Sequence, residues 1–569
     1  MVARIAKALP LIAFGLAGPG GLALAEASTA YLVRDINPAG SSGPSWLENV
    51  GGALFFQAQD GASGAEPWKS DGTEAGTVLI KDIRIGSQGS YPSAFTGAYG
   101  AIYFAANNGS IGGELWRSDG TDAGTVLLKD INPGAADSWP GLGVPLTLAN
   151  GTLFFIAYTN AAGYELWKSN GLAAGTALVK DIGLGSASSS PLDLVDLNGM
   201  LLFRADDGLP SSNHRELWKS DGTPGGTAIV KDIKPAGEGY PSDLLAMNDL
   251  LFFSADDGTD GRELWRSDGT EGGTVLVKDI HPSGGSQPNQ LRALDGTLYF
   301  VANDGTNGTE LWKSDGSADG TVMVVDLSPS GGSPISQLTV SGNYLFFVFV
   351  EAPFSAQLWR SDGTAAGTLM LREFVPNDNH PVVDELTDVG GVLYFSANDG
   401  THGVELWRSD GSTEGTVLAA DINAGDEWSF SDPQYLTNVN GTLFFSADDG
   451  VNGFELWGID GASLTGIPGG ADPGGLSELT VLPAAPNPFR LVTSLRFDLS
   501  DASHVRLRVF DASGRQVRTL IPGSRLSAGR QAAVWDGRDD RGRDLGSGVF
   551  VYRVEAGSLR GAGRVVLTR

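Results

Sequence analysis

Short apolar runs of four to seven residues, separated by turns rich in Gly, Asn and Asp, recur along most of the chain. A clear example begins Leu244-Leu245-Ala246-Met247, turns at Asn248-Asp249, and continues as Leu250-Leu251-Phe252-Phe253-Ser254-Ala255. It then loops through Asp256-Asp257-Gly258-Thr259-Asp260-Gly261, returns through Glu263-Leu264-Trp265-Arg266-Ser267, turns at Asp268-Gly269-Thr270 and ends in Thr274 to Ile280. Runs of this length bounded by residues that tolerate positive φ predict four strands. Leu264 and Trp265 are adjacent and point to opposite faces of their strand, as do Phe252 and Phe253, so both faces of the small sheet are expected to be buried. Sheets covered on both sides stack around an axis.

The unit repeats. Its Trp falls at 68, 116, 167, 218, 265, 312, 359, 407 and 457, at intervals of 48, 51, 51, 47, 47, 47, 48 and 50 residues. A period of this size with β-type segments predicts a propeller, or else an open solenoid of sheets. The ends favour a ring. Tyr31-Leu32-Val33-Arg34-Asp35-Ile36 matches only the last strand of a unit, and the ninth unit loses its own last strand after Trp457. The expected fold is all-β: a closed β-propeller of about nine four-stranded blades, the N-terminal strand completing the last blade, plus a C-terminal Ig-like β-sandwich.

The string Glu263-Leu264-Trp265-Arg266-Ser267-Asp268-Gly269-Thr270, nearly unchanged in most units, resembles the bacterial ELWxxDGT-repeat family over residues 28–460. That resemblance implies a large exported bacterial protein with little assigned biochemistry. Departures are Pro67 in place of Leu, Asn170-Gly171-Leu172 in place of Asp-Gly-Thr, and a seventh unit with Gln357 in place of Glu.

Both ends of the chain add something different. Arg4 and Lys7 precede an apolar stretch from Ala8 to Leu16, and Ala23-Leu24-Ala25 offers a cleavage site, so residues 1–25 read as a signal peptide. Residues 26–465 form the repeat region, and 466–485, rich in Gly and Pro, the linker. Residues 486–569 form a last domain with strands expected at 494–499, 504–510, 532–535, 548–555 and 563–568. Its Pro486-Asn487-Pro488-Phe489, Val509 to Arg515, Trp535 to Asp539 and Ser547 to Tyr552 segments resemble the Ig-like domain of the flagellar hook-assembly scaffold, and are similar to sorting domains of type 9 secretion. These resemblances imply an assembly or attachment module, and a secretion machinery as partner.

Charge separates the two regions. Of the net −29, residues 490–569 hold 15 Arg and no Lys against 8 Asp plus Glu, a net of +7, which leaves −36 upstream. An acidic surface repels phosphate backbones, so no nucleic acid partner is expected. The absence of Cys removes disulfides, thiolate metal sites and Cys nucleophiles, and no later stretch has the apolar length of a membrane-spanning helix. The expected location is secreted or at the outer cell surface.

Candidate chemistry lies in two sets of loops. Asp206-Asp207, Asp256-Asp257, Asn303-Asp304, Asn398-Asp399 and Asp448-Asp449 each precede a Glu on the next strand, at 216, 263, 310, 405 and 455. Oxygen-rich loops of this type make calcium the candidate cofactor. The third unit keeps Glu165 without the acid pair, so turn capping is the preferred role for the Glu. Trp46, Tyr91, Trp139, Tyr240 and Trp428 fall in loops between units, expected on the same face as the acid pairs. They read first as lids on their own blades and second as a platform for a glycan or a cell-surface protein. His214, His281, His380, His402 and His504 show no metal or triad spacing. The favoured function is a non-catalytic binding or structural module, with a polysaccharide hydrolase or lyase on the same scaffold as the alternative.

Overall fold

The computed structural model describes residues 29–461 except 209–213, 236, 329–334, 353–354, 376–382 and 426–428, and residues 479–568 except 482–488, 490–492, 500–502, 512–514, 527–528, 542 and 557–558. The expected signal peptide lies outside the described residues, as does the linker apart from 479–481. The chain divides into two compact units, residues 1–463 and 464–569.

Nine four-stranded antiparallel sheets make up the first unit. In the fifth, Ser242–Met247, Leu250–Asp256, Arg262–Ser267 and Val275–Lys278 pair in that order, the four segments that the apolar runs predict. First strands of successive sheets lie side by side: the Thr387 hydroxyl donates to Leu436 O, Asn248 Nδ2 to Gly296 O, and Asn49 Nδ2 to Asn438 O. The first strand is therefore the inner one, and the sheets are blades of a β-propeller, numbered below by the order of their Trp.

Alternation along the strands explains the stacking. Leu251, Phe253 and Trp265 of blade 5 pack with Leu217 and Val230 of blade 4. Phe252, Leu264 and Val277 face the other way and pack with Leu298, Phe300 and Trp312 of blade 6. Seven of the nine repeat tryptophans are buried, and Trp359 and Trp457 are half-buried. At several of these joints a cation ties one blade to the next. Lys231 Nζ of blade 4 lies 5.8 Å from the Trp265 ring centre and donates to Thr274 O at 2.9 Å, and Lys180 does the same to Trp218 and Thr227 of blade 4.

The Ser-Asp-Gly-Thr turn is a closed hydrogen-bond set. Asp268 Oδ1 accepts from the Thr270 N–H and hydroxyl, the Ser267 and Thr274 hydroxyls lie 2.7 Å apart, and the Gly273 N–H donates to Thr270 Oγ1. A Cβ on Gly273 would stand 2.0 Å from Asp268 Oδ1, which is why glycine recurs there. Where Asn170-Gly171-Leu172 replaces the motif, Asn170 Oδ1 keeps the backbone N–H of Leu172 and the hydroxyl contribution is gone.

Blade 7 departs from the others for a local reason. Its last strand, Leu369–Phe374, runs on to pair Glu373 with Gln357 and Phe374 with Ala356. The ladder itself takes up backbone groups that a carboxylate serves elsewhere, so Gln357 suffices.

Tyr31–Arg34 pairs antiparallel with Phe454–Asp460 as the fourth strand of the ninth sheet. Val33, Ile36, Val439, Phe444 and Leu456 then pack with Leu47, Leu54, Phe56 and Trp68 of blade 1.

The second unit holds two sheets. Leu479–Val481, Thr493–Leu499 and Gly529–Trp535 form one; Gln516–Leu526, Ser503–Phe510, Gly548–Ala556 and Leu559–Leu567 form the other. Leu495, Phe497, Val505, Leu507, Val509, Trp535, Tyr552 and Val554 share one core, so the Val505 to Val509 alternation sorts into buried Val and Leu and solvent-facing Arg506. The apolar pattern does not show two strands: Gln516–Leu526, whose apolar residues do not alternate, and Leu479–Val481, which falls inside the expected linker.

Deleting the residues up to Arg34 should leave the Phe454–Asp460 edge unpaired. Differential scanning fluorimetry is expected to show a melting temperature lower by at least about 5 °C, with concentration-dependent association on gel filtration. Replacing Gly273 with Ala, in turn, should destabilise the protein by about 1–3 kcal/mol through the clash with Asp268, read by urea titration.

Candidate functional site

Every blade except the seventh carries a buried glutamate at the start of its Leu-Trp strand. Glu263 Oε2 accepts from the Ile280 N–H at 3.1 Å and the Ser286 hydroxyl at 2.5 Å, while Oε1 accepts from the N–H groups of Ser286 and His281. Ile280 leaves the last strand of blade 5, and Ser286 belongs to the loop that crosses to blade 6. One carboxylate thus fixes both ends of the crossing. Glu455 does the same for Ile36, Asn37 and Ser42 across the joint between blades 9 and 1.

Burial pushes these carboxyls up and the hydrogen bonds pull them partly back. At Glu114, Glu216 and Glu405 burial carries the value up to about 7. At Glu216 the crossing loop has Gly239 in the serine position, and a Cβ there would lie 2.6 Å from Glu216 Oε2. Glu216 Oε2 accepts from the Ile233 N–H and Oε1 from the Gly239 N–H.

The acid-pair loops share a face with these crossings: the Asp256 N–H donates to Gly239 O and the Asn303 N–H to Ser286 O. Their carboxylates turn inward onto their own loops. Asp206, Asp256 and Asp448 each accept from the N–H two residues on. Asp257, Asp304, Asp399 and Asp449 each accept two successive backbone N–H groups. Asp207 meets His214 Nδ1 at 3.3 Å, and Asp256 Oδ2 meets Lys234 Nζ at 2.6 Å. At Asp304, Asp399 and Asp449 burial works upward, and the backbone hydrogen bonds outweigh it and hold the carboxyls low. Among the described residues no three His, Cys, Asp or Glu side chains stand together as metal ligands.

The aromatic set divides in two. Tyr91, Trp139 and Tyr240 occupy the residue between Ser or Gly and Pro in the crossing loops, with φ of 51°, 40° and 45°. Tyr91 is exposed; Trp139 lies half-buried against Gly113. The Tyr240 ring has the guanidinium carbons of Arg204, Arg262 and Arg215 at 4.3, 5.4 and 5.6 Å from its centre, which makes it a structural hub between blades 4 and 5. Trp46 instead sits within an inner strand, exposed, with φ 55°. Trp428 lies outside the described residues.

The Trp46 position leads to a set that sequence reasoning missed. Trp46, Ala94, Leu142, Asp193, Asp243, Gln290, Gln337, Glu385 and Tyr435 all have positive φ, one in each blade. In the eight blades other than the third each lies at an irregularity between the first two strands, such as Ser45/Glu48 in blade 1 and Gln434/Thr437 in blade 9. Holding a non-glycine residue there costs on the order of 1 kcal/mol, and strain of this sort concentrates at bulges that aim side chains. The nine positions sort by neighbourhood. Blades 9, 1 and 3 expose Tyr435, Trp46 and Leu142 while Ala94 of blade 2 is buried; blades 4 to 8 carry two Asp, two Gln and a Glu. Along the polar arc, side chains reach the next blade: Asp243 Oδ1 accepts the Gln290 N–H, Gln290 Oε1 the Leu338 N–H, and Glu385 Oε2 the Leu436 N–H. In most units the position falls two residues after a proline, a spacing visible only after the repeats are aligned on that proline.

Residues 492–560 match the FlgD Ig-like domain family, which supports an Ig-like domain in the second unit. No curated protein matches the chain. Solved structures similar to it include a prolyl endopeptidase, at 12% identity over 64% of this chain and 55% of that chain with a TM-score of 0.36. Prolyl oligopeptidase B from Galerina marginata is similar at 12% identity over 73% and 56%, TM-score 0.36. PorZ, a surface component of the type-IX secretion system of Porphyromonas gingivalis, is similar at 12% identity over 91% and 80%, TM-score 0.20. The chain spans little more than half the length of these peptidases.

The raised glutamates make stability depend on pH. Folded Glu114, Glu216 and Glu405 hold a proton more tightly than the unfolded chain does, so their contribution is complete below the ordinary value of 4.5 and is lost as pH rises through about 7. The melting temperature is expected to fall by a few degrees between pH 5 and pH 8, and Glu405→Gln should flatten that slope. Glu263→Ala should cost about 3 kcal/mol at either pH, since it strands buried N–H donors.

Proposed function

We propose that the protein is an exported, non-catalytic binding module of the bacterial cell surface, whose propeller takes a glycan chain at its inner rim and whose Ig-like domain serves secretion or attachment. The observation that carries this reading is the division of the nine strained rim positions into an apolar arc with two exposed aromatics and a contiguous arc of acids and amides. A pyranose has an apolar face that stacks on Trp or Tyr and a hydroxyl edge that needs acceptors and donors, and the two arcs offer both. The reading includes a closed nine-bladed ring, supported by the pairing of Tyr31–Arg34 with Phe454–Asp460 and by the shared core of blades 9 and 1. It draws support for surface attachment from the FlgD Ig-like match. The repeat's resemblance to exported ELWxxDGT proteins points the same way.

A glycan-array screen of the mature chain, compared with the Trp46→Ala/Tyr435→Ala double variant, tests it. At least one polysaccharide class is expected to bind, with affinity lowered tenfold or more in the double variant, which corresponds to about 1.4 kcal/mol. Unchanged binding by the double variant, or none by the parent, would remove the rim from consideration.

A further inference from the structure

We propose that the seam between blades 1 and 2 binds an alkylammonium or guanidinium group carried on an apolar stem. The nine repeats supply their own control for this seam. At one inner-strand position, opposite the first aromatic or apolar residue of the second strand, five blades carry Thr: Thr96, Thr147, Thr339, Thr387 and Thr437. Three of these hydroxyls donate to a backbone carbonyl of the following blade, Thr147 to Leu194, Thr387 to Leu436 and Thr437 to Leu47. Blade 1 has Glu48 there instead. One residue further on, Asn49 and Asn438 reach back to the preceding blade through their amides, and blade 2 has Gly97. Blades 4, 5 and 6 have Val195, Leu245 and Arg292 at the Thr position, so what sets the joint of blades 1 and 2 apart is the carboxylate that stands there without either tie.

Blade 2 is also small where other blades are large. Ala98 stands where blades 4, 5 and 6 have Leu197, Met247 and Leu294, and Ala101 where blades 4 and 5 have Met200 and Leu250. The result is a cavity of about 780 Å³, walled by Val50, Phe55, Phe95, Leu146 and Leu148, with Glu48 in its lining. Among the described residues Glu48 has no hydrogen-bond or ion-pair partner, and burial alone pushes its carboxyl up. A half-buried carboxyl beside apolar walls in an open cavity is relieved by a cation that brings its own hydrogen-bond donors. The chain's net charge of −29 draws cations towards it. The apolar walls accept the stem that carries the charge.

The shared chemistry has two sources, a free amine and a basic side chain of a peptide. Saturation-transfer NMR titrations of the full-length protein would compare n-hexylammonium, an acetylated lysine-amide peptide and n-hexanol. The ammonium probes are expected to bind at least tenfold more tightly than n-hexanol, and the tighter of the two names the source. Glu48→Gln should abolish that ratio. Ala98→Leu, which installs the residue blades 4 and 6 already carry there, should block all three probes while leaving the melting temperature near that of the parent. Glu48→Thr installs the residue that five blades carry there and should raise the melting temperature. Equal binding of n-hexanol and n-hexylammonium, unaltered binding in Ala98→Leu, or a lower melting temperature in Glu48→Thr would each overturn the proposal.

Discussion

A glutamate carboxylate placed in an apolar interior, at the point where the chain leaves one sheet for the next, is the constraint on which the propeller depends. A crossing loop brings free backbone N–H groups into a site that water does not reach, and unsatisfied donors there cost about 1–3 kcal/mol each. Glu263 answers four donors at once, and the same arrangement recurs at Glu66, Glu114, Glu165, Glu310, Glu405 and Glu455. The serine in the crossing loop and the isoleucine at the strand end follow from it, since each supplies a donor aimed at the carboxylate. Blade 7 shows the converse: where the ladder continues through Gln357 and Glu373, the charge is not needed.

Around that frame, repetition and departure have separate meanings. Residues that recur hold blades together: the Trp packed against the preceding blade, the Lys that crosses to the next, and the turn locked by Asp268, Thr270 and Gly273. Residues that differ from blade to blade gather in few places, namely the strained inner rim, the three arginines around Tyr240 and the opened joint beside Glu48. A propeller built from near-identical parts gains asymmetry only through such exceptions, and selective binding needs asymmetry.

Much of the frame is legible in the sequence because it is periodic. The adjacency of Leu264 and Trp265 gives two-sided burial, and the orphan segment at Tyr31 pairs with the strand bearing Trp457. The acid pairs are harder to read, because an Asp that caps its own loop and an Asp that waits for an ion look alike until the N–H groups are located, as Asp257 and Asp449 show. The rim was illegible for a different reason. Trp46 shares its place with Asp193 and Gln290, and no single-copy pattern links an indole, a carboxylate and an amide; only the backbone φ they share does so. The strand Gln516–Leu526 escaped notice because its apolar residues do not alternate.

The union of Tyr31–Arg34 with Phe454–Asp460 also orders events in time. Ser42 and its partner Glu455 stand 413 positions apart, so the strand at Tyr31 stays without its native neighbour until nearly the entire repeat region exists. Until then one naked β-edge persists at either terminus of the growing stack, a template for mispairing between chains. A chaperone or a translocation apparatus that keeps the nascent polypeptide extended until the ninth sheet has emerged would turn this hazard into a checkpoint, because a polypeptide broken off early has nothing to lock onto.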